Sequence, residues 1–272
     1  MKGVKAATDG FRVDLLLAIK TIYFNQRMLL EIPAAKRVHY SFDDVSNRRN
    51  LSSGYLRHEK LWDLIGTTKQ HNVMEIEARG GNPLFQWAAY DPRLHKRETD
   101  FLDRKYAIGF VGAMREDREG LPDFMAHASG RDNAVIAGPR WNRRYPDGHP
   151  GIDMLPAQMG PAYTRLANDV QGGLVLLNSE NRDQHTNRSI ETPATGQLVI
   201  AEDTEEHRQL FSDGTSALLF SSLSEAAERI REMRHDRHRA SRIAQEGYRR
   251  ISAGGFTYKD RASELLRWSR NT

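Results

Sequence analysis

The chain has 272 residues, of which 39% are hydrophobic and 28% are charged, and this composition indicates a globular protein large enough for two domains of moderate size. It contains no cysteine, which excludes disulfides and thiolate chemistry and makes a cytoplasmic location the expectation. The net charge of +4 suits anionic ligands, but basic residues alternate with acids and no aromatic stacking platform accompanies them, so nucleic acid is not expected as a partner. No apolar run approaches the length of a membrane span.

Strands and helices are predicted to alternate through the first hundred residues. Apolar runs predict strands at 13–19, 37–40 and 63–66, and an extended segment at 84–87. Helices are predicted at 22–32, in the stretch that ends near Trp62, and at 69–78. The polar, proline-broken segment at 90–97 is expected to link two domains.

The second half repeats this alternation more clearly. Predicted strands lie at 106–111, 134–137, 174–177, 198–201 and 217–220, and predicted helices lie at 120–128, 161–169, 205–211 and in the amphipathic tail. Residues 140–156 contain several glycines and prolines and are predicted to form a surface loop. Because strands that alternate with helices form parallel sheets, the sequence predicts the α/β fold class.

The polar run from Asn181 to Gly196 is the part of the chain where chemistry is expected. It lies between the apolar strands predicted at 174–177 and 198–201, and ligands of open α/β sheets bind beside the loops that follow strands. The run enters a short predicted helix, and the free backbone N–H groups at the start of a helix can face a phosphate.

This run resembles part of the glycosyl-transferase group 1 domain of spore-maturation-protein CgeB-like glycosyltransferases. Other segments that carry the resemblance are Glu202–Thr204, Leu210–Gly214 and Phe256–Ala262, and, upstream, Gly109–Gly112, Thr67–Val73 and Tyr90–His95. Together they extend over about residues 36–268.

The resemblance implies a GT-B architecture, in which two Rossmann-like domains with parallel sheets face each other across the active site. It places an acceptor-side domain at 1–98, a nucleotide-sugar donor domain at 99–256, and a C-terminal helix at 257–272 that packs back toward the first domain. The first domain is expected to be shortened relative to the family. The nucleotide-sugar would be a co-substrate, and neither a cofactor nor a metal is expected.

Glycosyl transfer needs positive charge beside the leaving diphosphate, and several arginines are candidates for this role. Arg115 and Arg118 follow the strand that ends at Gly112, and Arg188 lies at the start of the helix in the polar run. Arg140 is a further candidate, beside the base or a phosphate. The alternative for Arg115 and Arg118 is a solvated face, and for Arg188 it is a structural pair with an acid.

Asp183 and Glu191 have a spacing that resembles the paired-glutamate motif of many retaining GT-B enzymes. By that resemblance Glu191 would bind the ribose and Asp183 would lie near the donor sugar, and Asn181 is a further donor-binding candidate. His185 could contact the sugar or a phosphate, and Gly196 would let the backbone pass closely beneath the ligand. The alternative for Glu191 is a helix cap or surface ion pair.

In the first half, Asp43 and Asp44 follow a predicted strand, and Asp44 is the candidate base that activates the acceptor. An Asx turn is an equal alternative for both acids. Lys69 and His71, at the start of a predicted helix, are further acceptor-side candidates. The candidate catalytic residues are thus Asp44, His185 and Arg188, although a retaining enzyme needs no base if the departing phosphate takes the proton.

The expected function is transfer of a sugar from a nucleotide-sugar to a glycan, a lipid-linked or a protein acceptor, in glycan, polysaccharide or cell-surface assembly. The alternative is a non-catalytic nucleotide-sugar-binding or scaffold protein derived from such an enzyme, and a third hypothesis is a nucleotide-sugar epimerase. The basic amphipathic tail allows a peripheral membrane contact, and a partner chain could complete the first domain.

Overall fold

The computed structural model describes residues 10–52, 54–130 and 133–271. The chain divides into two compact units, and each contains a parallel sheet flanked by helices. Unit 1 comprises Met1–Ala88, Asn178–Asp183 and Lys259–Thr272, and unit 2 comprises Ala89–Leu177 and Gln184–Tyr258. The predicted α/β class with two Rossmann-like parallel sheets is therefore confirmed.

Unit 1 is built on a four-stranded sheet of order β1-β2-β3-β4, in which every pair of neighbours is parallel. Its strands are β1 (Leu15–Ile19), β2 (Lys36–Ser41), β3 (Leu64–Thr67) and β4 (Pro83–Phe85), and its first three helices are α1 (Gln26–Leu30), α2 (Tyr55–His58) and α3 (Gln70–Ala78). Short 3₁₀ turns lie at Arg48–Asn50 and Glu59–Leu61.

Apolar side chains cover both faces of this sheet. Ile65 packs with Tyr55, Trp62 and Ile76 in one cluster. Val38, Tyr40 and Leu64 pack in another cluster with Leu265, which lies on the C-terminal helix at Tyr258–Asn271. The last helix therefore contributes to the core of unit 1.

Unit 2 contains a six-stranded parallel sheet of order β10-β9-β8-β5-β6-β7. Its strands are β5 (Tyr106–Val111), β6 (Ala134–Ala137), β7 (Asp153–Leu155), β8 (Val170–Val175), β9 (Leu198–Glu202) and β10 (Leu218–Phe220). Its helices are α4 (Leu121–Ser129), α5 (Trp141–Arg144), α6 (Pro161–Asn168), α7 (Asn187–Ala194), α8 (Glu205–Leu210), α9 (Leu223–His235) and α10 (Arg237–Ala253), and the C-terminal helix is α11 (Tyr258–Asn271). Further 3₁₀ turns lie at Phe101–Asp103, Glu116–Arg118 and, within unit 1, Ser179–Asn181.

The strand order of unit 2 reverses between β5 and β8. The chain runs from β5 through β6 to β7 on one side, and from β8 through β9 to β10 on the other. In parallel α/β sheets a ligand binds beside the carboxyl ends of the strands at such a reversal. The loops after Val111 and Val175 therefore mark the expected position of a ligand in unit 2.

Two parts of unit 2 differ from the elements predicted from sequence. Strand β8 begins at Val170, four residues before the predicted strand, because Gly172 and Gly173 belong to it. A Cβ at Gly172 would lie 2.7 Å from the sulfur of Met233, and one at Gly173 would lie 2.5 Å from a methyl carbon of Thr192. Glycine is therefore required where helices pack closely onto this central strand.

The predicted surface loop at 140–156 also contains regular structure. Its first residues form α5, whose Trp141 is buried, and its last residues form the edge strand β7. Both elements are only three or four residues long, and such short elements leave little periodic signal in a sequence.

Candidate functional site

In unit 2, α7 begins where the polar run enters its helix, and hydrogen bonds fix its first turn. The backbone N–H of Thr186 donates to Ser189 Oγ at 3.0 Å, as in a capping box. Ser189 Oγ lies 2.8 Å from Nε2 of His207, and Nδ1 of His207 lies 2.6 Å from the carbonyl oxygen of Glu202. The start of α7 is thus connected to the end of β9.

Arg188 and Glu191 form an ion pair on the first turns of α7. Arg188 Nε also donates to the carbonyl oxygen of Val111 at 3.3 Å, and the guanidinium carbon lies 4.3 Å from the ring centre of Tyr163. His95 Nε2 lies 3.6 Å from Glu191 Oε1. We call Arg188, Glu191, His95 and Tyr163 the Arg188 cluster, and it lies at the carboxyl end of β5.

The environment of the Arg188 cluster sets its charge at neutral pH. Burial raises the pKa of Tyr163 to about 12, so its hydroxyl stays protonated. Burial lowers the pKa of His95 despite the opposing effect of Glu191, and the ring is therefore largely neutral at pH 7. Burial alone would lower the pKa of Arg188, but Tyr163 and Glu191 outweigh it and raise that pKa. The Arg188 guanidinium is therefore charged at pH 7. Its side chain is 34% exposed.

His185 lies on the loop before α7, and its side chain is fully buried. Its Nδ1 forms a short hydrogen bond with Glu206 Oε2 on α8, and the carboxylate of Glu206 is also buried. A buried acid that bonds one ring nitrogen fixes the orientation of a histidine, as in catalytic acid–histidine pairs. His185 was predicted from the sequence, whereas its partner Glu206, 21 residues further on, was not.

Gly112 and Arg118 lie where the strand order of unit 2 reverses. A Cβ at Gly112 would lie 2.7 Å from the ring of Phe110, so this turn requires glycine. Arg118 donates to the carbonyl oxygens of Ala113 at 3.1 Å and of Leu176 and Leu177 at 3.4 Å each. Its guanidinium therefore connects the ends of β5 and β8, and it borders a cavity of about 470 Å³.

Arg115 and Arg140 lie near the same edge of the sheet. Arg115 Nε is 3.2 Å from Asp117 Oδ1. Arg140 is exposed and has a φ of 71°, directly before the buried Trp141. It follows Gly138, where a Cβ would lie 1.9 Å from the carbonyl oxygen of Gly112, so the loops after β5 and β6 are in contact.

A second cavity of about 400 Å³ lies beside this contact, and we call it the aromatic cavity. Trp141 and Tyr145 are stacked in its wall, with ring centres 6.2 Å apart. Pro156 and Ala157 line its other side, on the loop that leads into α6. The loop of residues 156–160 thus connects the aromatic cavity to α6, the helix that carries Tyr163 of the Arg188 cluster.

Gly196 does not lie with the other predicted donor residues. It follows the C-terminal end of α7, with a φ of +76°, whereas Arg188 lies at the N-terminal end of that helix. A Cβ at Gly196 would lie 2.9 Å from Cδ of Arg97 and 3.1 Å from Nη2 of Arg104. In this structure Gly196 therefore ends a helix against two arginines, which argues against the predicted contact with a ligand.

The predicted donor residues Asn181 and Asp183 belong to unit 1, together with the predicted acceptor-side residues. Asn181 Oδ1 accepts from the backbone N–H of Asp44 at 2.7 Å, and Asn181 Nδ2 donates to Asp183 Oδ1 at 2.9 Å. Lys69 Nζ lies 2.6 Å from Asp183 Oδ1, and both side chains of this ion pair are more than 90% buried. Asn181, Asp183, Asp44 and Lys69 therefore lie together in unit 1. The sequence predicted the first two for the donor side and the last two for the acceptor side.

Asp44 is buried within a polar network. Its Oδ1 accepts from Ser46 N and Asn72 Nδ2 at 2.8 Å each, and its Oδ2 accepts from Arg182 Nε at 2.7 Å. Burial would raise the pKa of Asp44, but the nearby His71 and hydrogen bonds from Arg182, Asn72 and Ser46 outweigh it and hold that pKa far below its ordinary value. A carboxylate this acidic accepts protons poorly, which argues against the predicted role of Asp44 as the acceptor-activating base.

The remaining acceptor-side candidates lie close to Asp44. His71 Nε2 is 3.7 Å from Asp44 Oδ2, and Asp43 Oδ2 is 3.4 Å from Lys20 Nζ. Arg182 also donates to both carboxylate oxygens of Glu75, at 2.8 and 3.0 Å, and lowers the pKa of Glu75 to about 2. Arg182 and Glu75 were not predicted as site residues, because this contact joins residues 107 positions apart in the chain.

The described residues contain neither a cluster of potential metal ligands nor a helix that could cross a membrane. Within residues 10–52, 54–130 and 133–271, no three histidine, aspartate or glutamate side chains converge as potential metal ligands. Over the same ranges, no helix is both long enough and apolar enough to pass through a lipid bilayer.

Two parallel α/β units, with candidate ligand residues at the carboxyl edge of the second sheet, are the architecture of GT-B glycosyltransferases. The glycosyl transferase-like family matches residues 115–267, which is more than half of the chain. The chain belongs to this family, and it is an enzyme of the glycosyltransferase class.

Solved structures show the same fold. Sucrose-phosphate synthase from Thermosynechococcus elongatus superposes with a TM-score of 0.73 at 14% identity, over 99% of this chain and 76% of that one. HepE of Anabaena, in complex with UDP-glucose, superposes with a TM-score of 0.72 at 13% identity, over 100% of this chain and 82% of that one. For the pneumococcal O-GlcNAc transferase GtfA, in complex with UDP and GlcNAc, the TM-score is 0.66 at 13% identity, over 98% and 59%. A search of curated proteins found no match.

Proposed function

We propose that this protein transfers a sugar from a nucleotide-sugar donor to a hydroxyl acceptor in glycan, polysaccharide or cell-surface assembly, without a metal ion. The observation that carries the proposal is the half-buried Arg188–Glu191 pair at the carboxyl end of β5, where the strand order of unit 2 reverses. Within the glycosyl transferase-like family, we propose a CgeB-like enzyme, on the resemblance of the polar run from Asn181 to Gly196.

Glu191 is the proposed ligand of the ribose hydroxyls. Its carboxylate is 9% exposed and is held by Arg188 and His95, so its position is fixed before a ligand arrives. A carboxylate accepts two hydrogen bonds from adjacent hydroxyls, which is the geometry that a ribose offers. The aromatic cavity near α6 is the proposed site of the base, because stacked aromatic rings suit a planar heterocycle. Arg140 directly precedes Trp141 of this cavity and is a candidate for contact with the base or a phosphate.

The diphosphate is proposed to bind beside Gly112, Arg118 and Arg188. When the anomeric carbon–oxygen bond breaks, its electron pair goes to the leaving diphosphate, which gains negative charge. Arg188 supplies a preorganised guanidinium, and the N-terminus of the eight-residue α7 adds a partial positive charge. These groups are proposed to replace a metal ion at the diphosphate. Arg115, three residues before Arg118, is a further candidate for contact with the diphosphate.

The acceptor hydroxyl forms the new bond to the anomeric carbon and loses its proton. The proton can go to an oxygen of the departing phosphate, or to His185, whose orientation Glu206 fixes. Lys69, His71 and Asp43 remain the proposed acceptor-side groups of unit 1. Asp183 remains the residue proposed to lie near the donor sugar, and Asn181 remains a proposed donor-binding residue. The acceptor is proposed to be a glycan, a lipid-linked or a protein hydroxyl.

The experiment is a calorimetric titration with UDP, GDP, dTDP and CMP and their common sugar conjugates, followed by product analysis with acceptor mixtures. We expect one nucleotide to bind, and binding to be lost in Glu191→Ala and Arg188→Ala but retained in Arg165→Ala, an exposed control on α6. Transfer that persists in excess EDTA would support metal independence. If no nucleotide binds to the wild-type protein, the proposal is refuted for this chain.

A further inference from the structure

The opposite edge of the unit 2 sheet carries a basic cavity of about 340 Å³. Strands β5 and β8 are paired with Tyr106 beside Val170, so their amino ends lie together. We call the space at these ends the amino-end cavity, and its polar lining comprises Arg104, Lys105, Asn133, Gln171, Arg234 and Arg237. This lining consists of four cations and two amides, and among the described residues it includes no carboxylate.

Two of the cations are available to a ligand. Arg234, in the last turn of α9, is exposed, and its guanidinium has no ion pair or hydrogen bond with any other residue that the structure describes. Arg237, the first residue of α10, is also exposed and donates from one guanidinium nitrogen to the carbonyl oxygen of Leu102. Each arginine can therefore present donors to an anion, and planar guanidinium groups bind phosphate oxygens in pairs.

The other two cations add positive charge that nearby acids compensate only in part. Arg104 donates to the carbonyl oxygens of Thr99, Ala167, Val170 and Thr195, and Asp100 and Asp169 partly stabilise its charge. Burial and the neighbouring Arg97 lower the pKa of Arg104 to about 10, and a nearby anion would favour its charged form. Lys105 forms an ion pair with Asp153 at 3.1 Å, and its side chain is 63% exposed and lines the cavity.

The structure assigns this cavity as a second anion site, which takes a small phosphate-bearing ligand such as inorganic phosphate or a phosphate monoester. The cavity volume is in the range of small-ligand sites, and the absence of a lining carboxylate among the described residues favours a dianion. The site is separate from the proposed donor site, because β5 has six residues and its two ends are about 16 Å apart at the usual rise per residue.

The test is a titration of the full chain with inorganic phosphate at constant ionic strength, with chloride as the reference anion. We expect one saturable site, whose dissociation constant rises at least about tenfold in Arg234→Gln/Arg237→Gln, since charge-assisted hydrogen bonds are lost. Arg234→Gln alone should give a smaller rise in the dissociation constant. This single variant provides the test if the double variant does not fold. The control Arg231→Gln, on the same helix but outside the cavity, should bind as the wild type does.

The donor site is distinguished in the same experiment. Arg188→Ala should lose nucleotide binding and keep phosphate binding, whereas the double variant should do the reverse. Phosphate binding that is lost in Arg188→Ala and kept in the double variant would overturn the inference and place the phosphate at the donor site. Absence of saturable binding in the wild type would also overturn it, without affecting the proposed transferase activity.

Discussion

Arg188 on α7 donates from Nε to the carbonyl oxygen of Val111 across 3.3 Å, and this bond fixes a guanidinium at the last residue of β5. Its other contacts, with Glu191 and the ring of Tyr163, hold the same plane from two further directions. A planar group held on three sides is positioned before the substrate binds, which is a requirement for electrostatic stabilisation of a transition state.

We predict that Arg188→Lys retains the fold and loses most of the activity. Lysine keeps the positive charge, but it cannot contact Val111, Glu191 and a phosphate in one plane. We expect kcat/KM to fall about 10²- to 10³-fold, as for the loss of one preorganised donor to a developing charge. Steady-state kinetics with the identified donor measure the effect, and Arg165→Lys is the control. An unchanged kcat/KM would show that Arg188 is a structural residue.

We predict that Asp44→Asn destabilises unit 1, because it removes the charge that Arg182, Asn72 and Ser46 jointly contact. The loss should be about 2–4 kcal/mol in urea unfolding, which is typical when one partner of a buried charged network is removed. Asp43→Asn is the adjacent control. Asp43 lies 3.4 Å from Lys20, whose side chain is 54% exposed. Because an ion pair with an exposed partner contributes little, its replacement should cost less than about 1 kcal/mol. Equal costs would refute the network role of Asp44.

We predict that the protein loses stability as the pH falls from 7 to 5, because buried histidines must remain neutral in the folded state. Burial lowers the pKa of His39 in unit 1 to about 3 and that of His207 in unit 2 to about 4. Both values lie below the ordinary value of 6.5, so the unfolded chain binds more protons over this interval and the free energy of unfolding decreases with decreasing pH. Each histidine should contribute about 2 kcal/mol to the loss between pH 7 and 5.

Urea unfolding at several pH values measures this dependence. His207→Gln should remove about 2 kcal/mol of the loss, since glutamine does not titrate. His238→Gln, at an exposed position on α10, should leave the pH dependence as it is. If both variants followed the wild-type curve, the neutral state of His207 would not control acid stability.

We predict that Arg104→Leu is among the most destabilising single changes in unit 2. The guanidinium donates to four backbone carbonyls, including those of Ala167 near the end of α6 and Thr195 at the end of α7. Leucine would leave these buried acceptors without donors, and we expect a loss of about 3–5 kcal/mol in the free energy of unfolding. Arg165→Leu, at an exposed position, is the control, and a similar loss there would contradict this account.

The buried strands were the most predictable part of the fold. The sequence predicted Tyr106–Val111 and Ala134–Ala137 with the bounds that the structure has, because both are apolar runs in the centre of a parallel sheet. The first half of β8 was not predicted, since Gly172 and Gly173 disfavour a strand locally. Their contacts with Met233 and Thr192 exist only in the folded protein, and no local pattern reveals them.

The candidate site was only partly predictable from sequence. The i, i+3 spacing of Arg188 and Glu191 already allowed the ion pair that the structure shows. His95 and Tyr163 were not identified as their neighbours, because their contacts connect residues far apart in the chain. Asn181 and Asp183 were assigned to the donor side from their place in the polar run, and their membership of unit 1 depends on long-range bonds to Asp44 and Lys69.

The six-residue segment Asn178–Asp183 limits how unit 1 can be exchanged for that of a homologue. Unit 1 draws on three separate stretches of chain, and Asp183 supplies the buried counter-charge of Lys69 from the middle one. A chimera that exchanged only residues up to Ala88 with a homologue would pair one parent's lysine with the other parent's loop. Exchange of unit 1 between homologues therefore requires the Asn178–Asp183 segment and the C-terminal tail to be transferred together with the amino-terminal portion, as one discontinuous module.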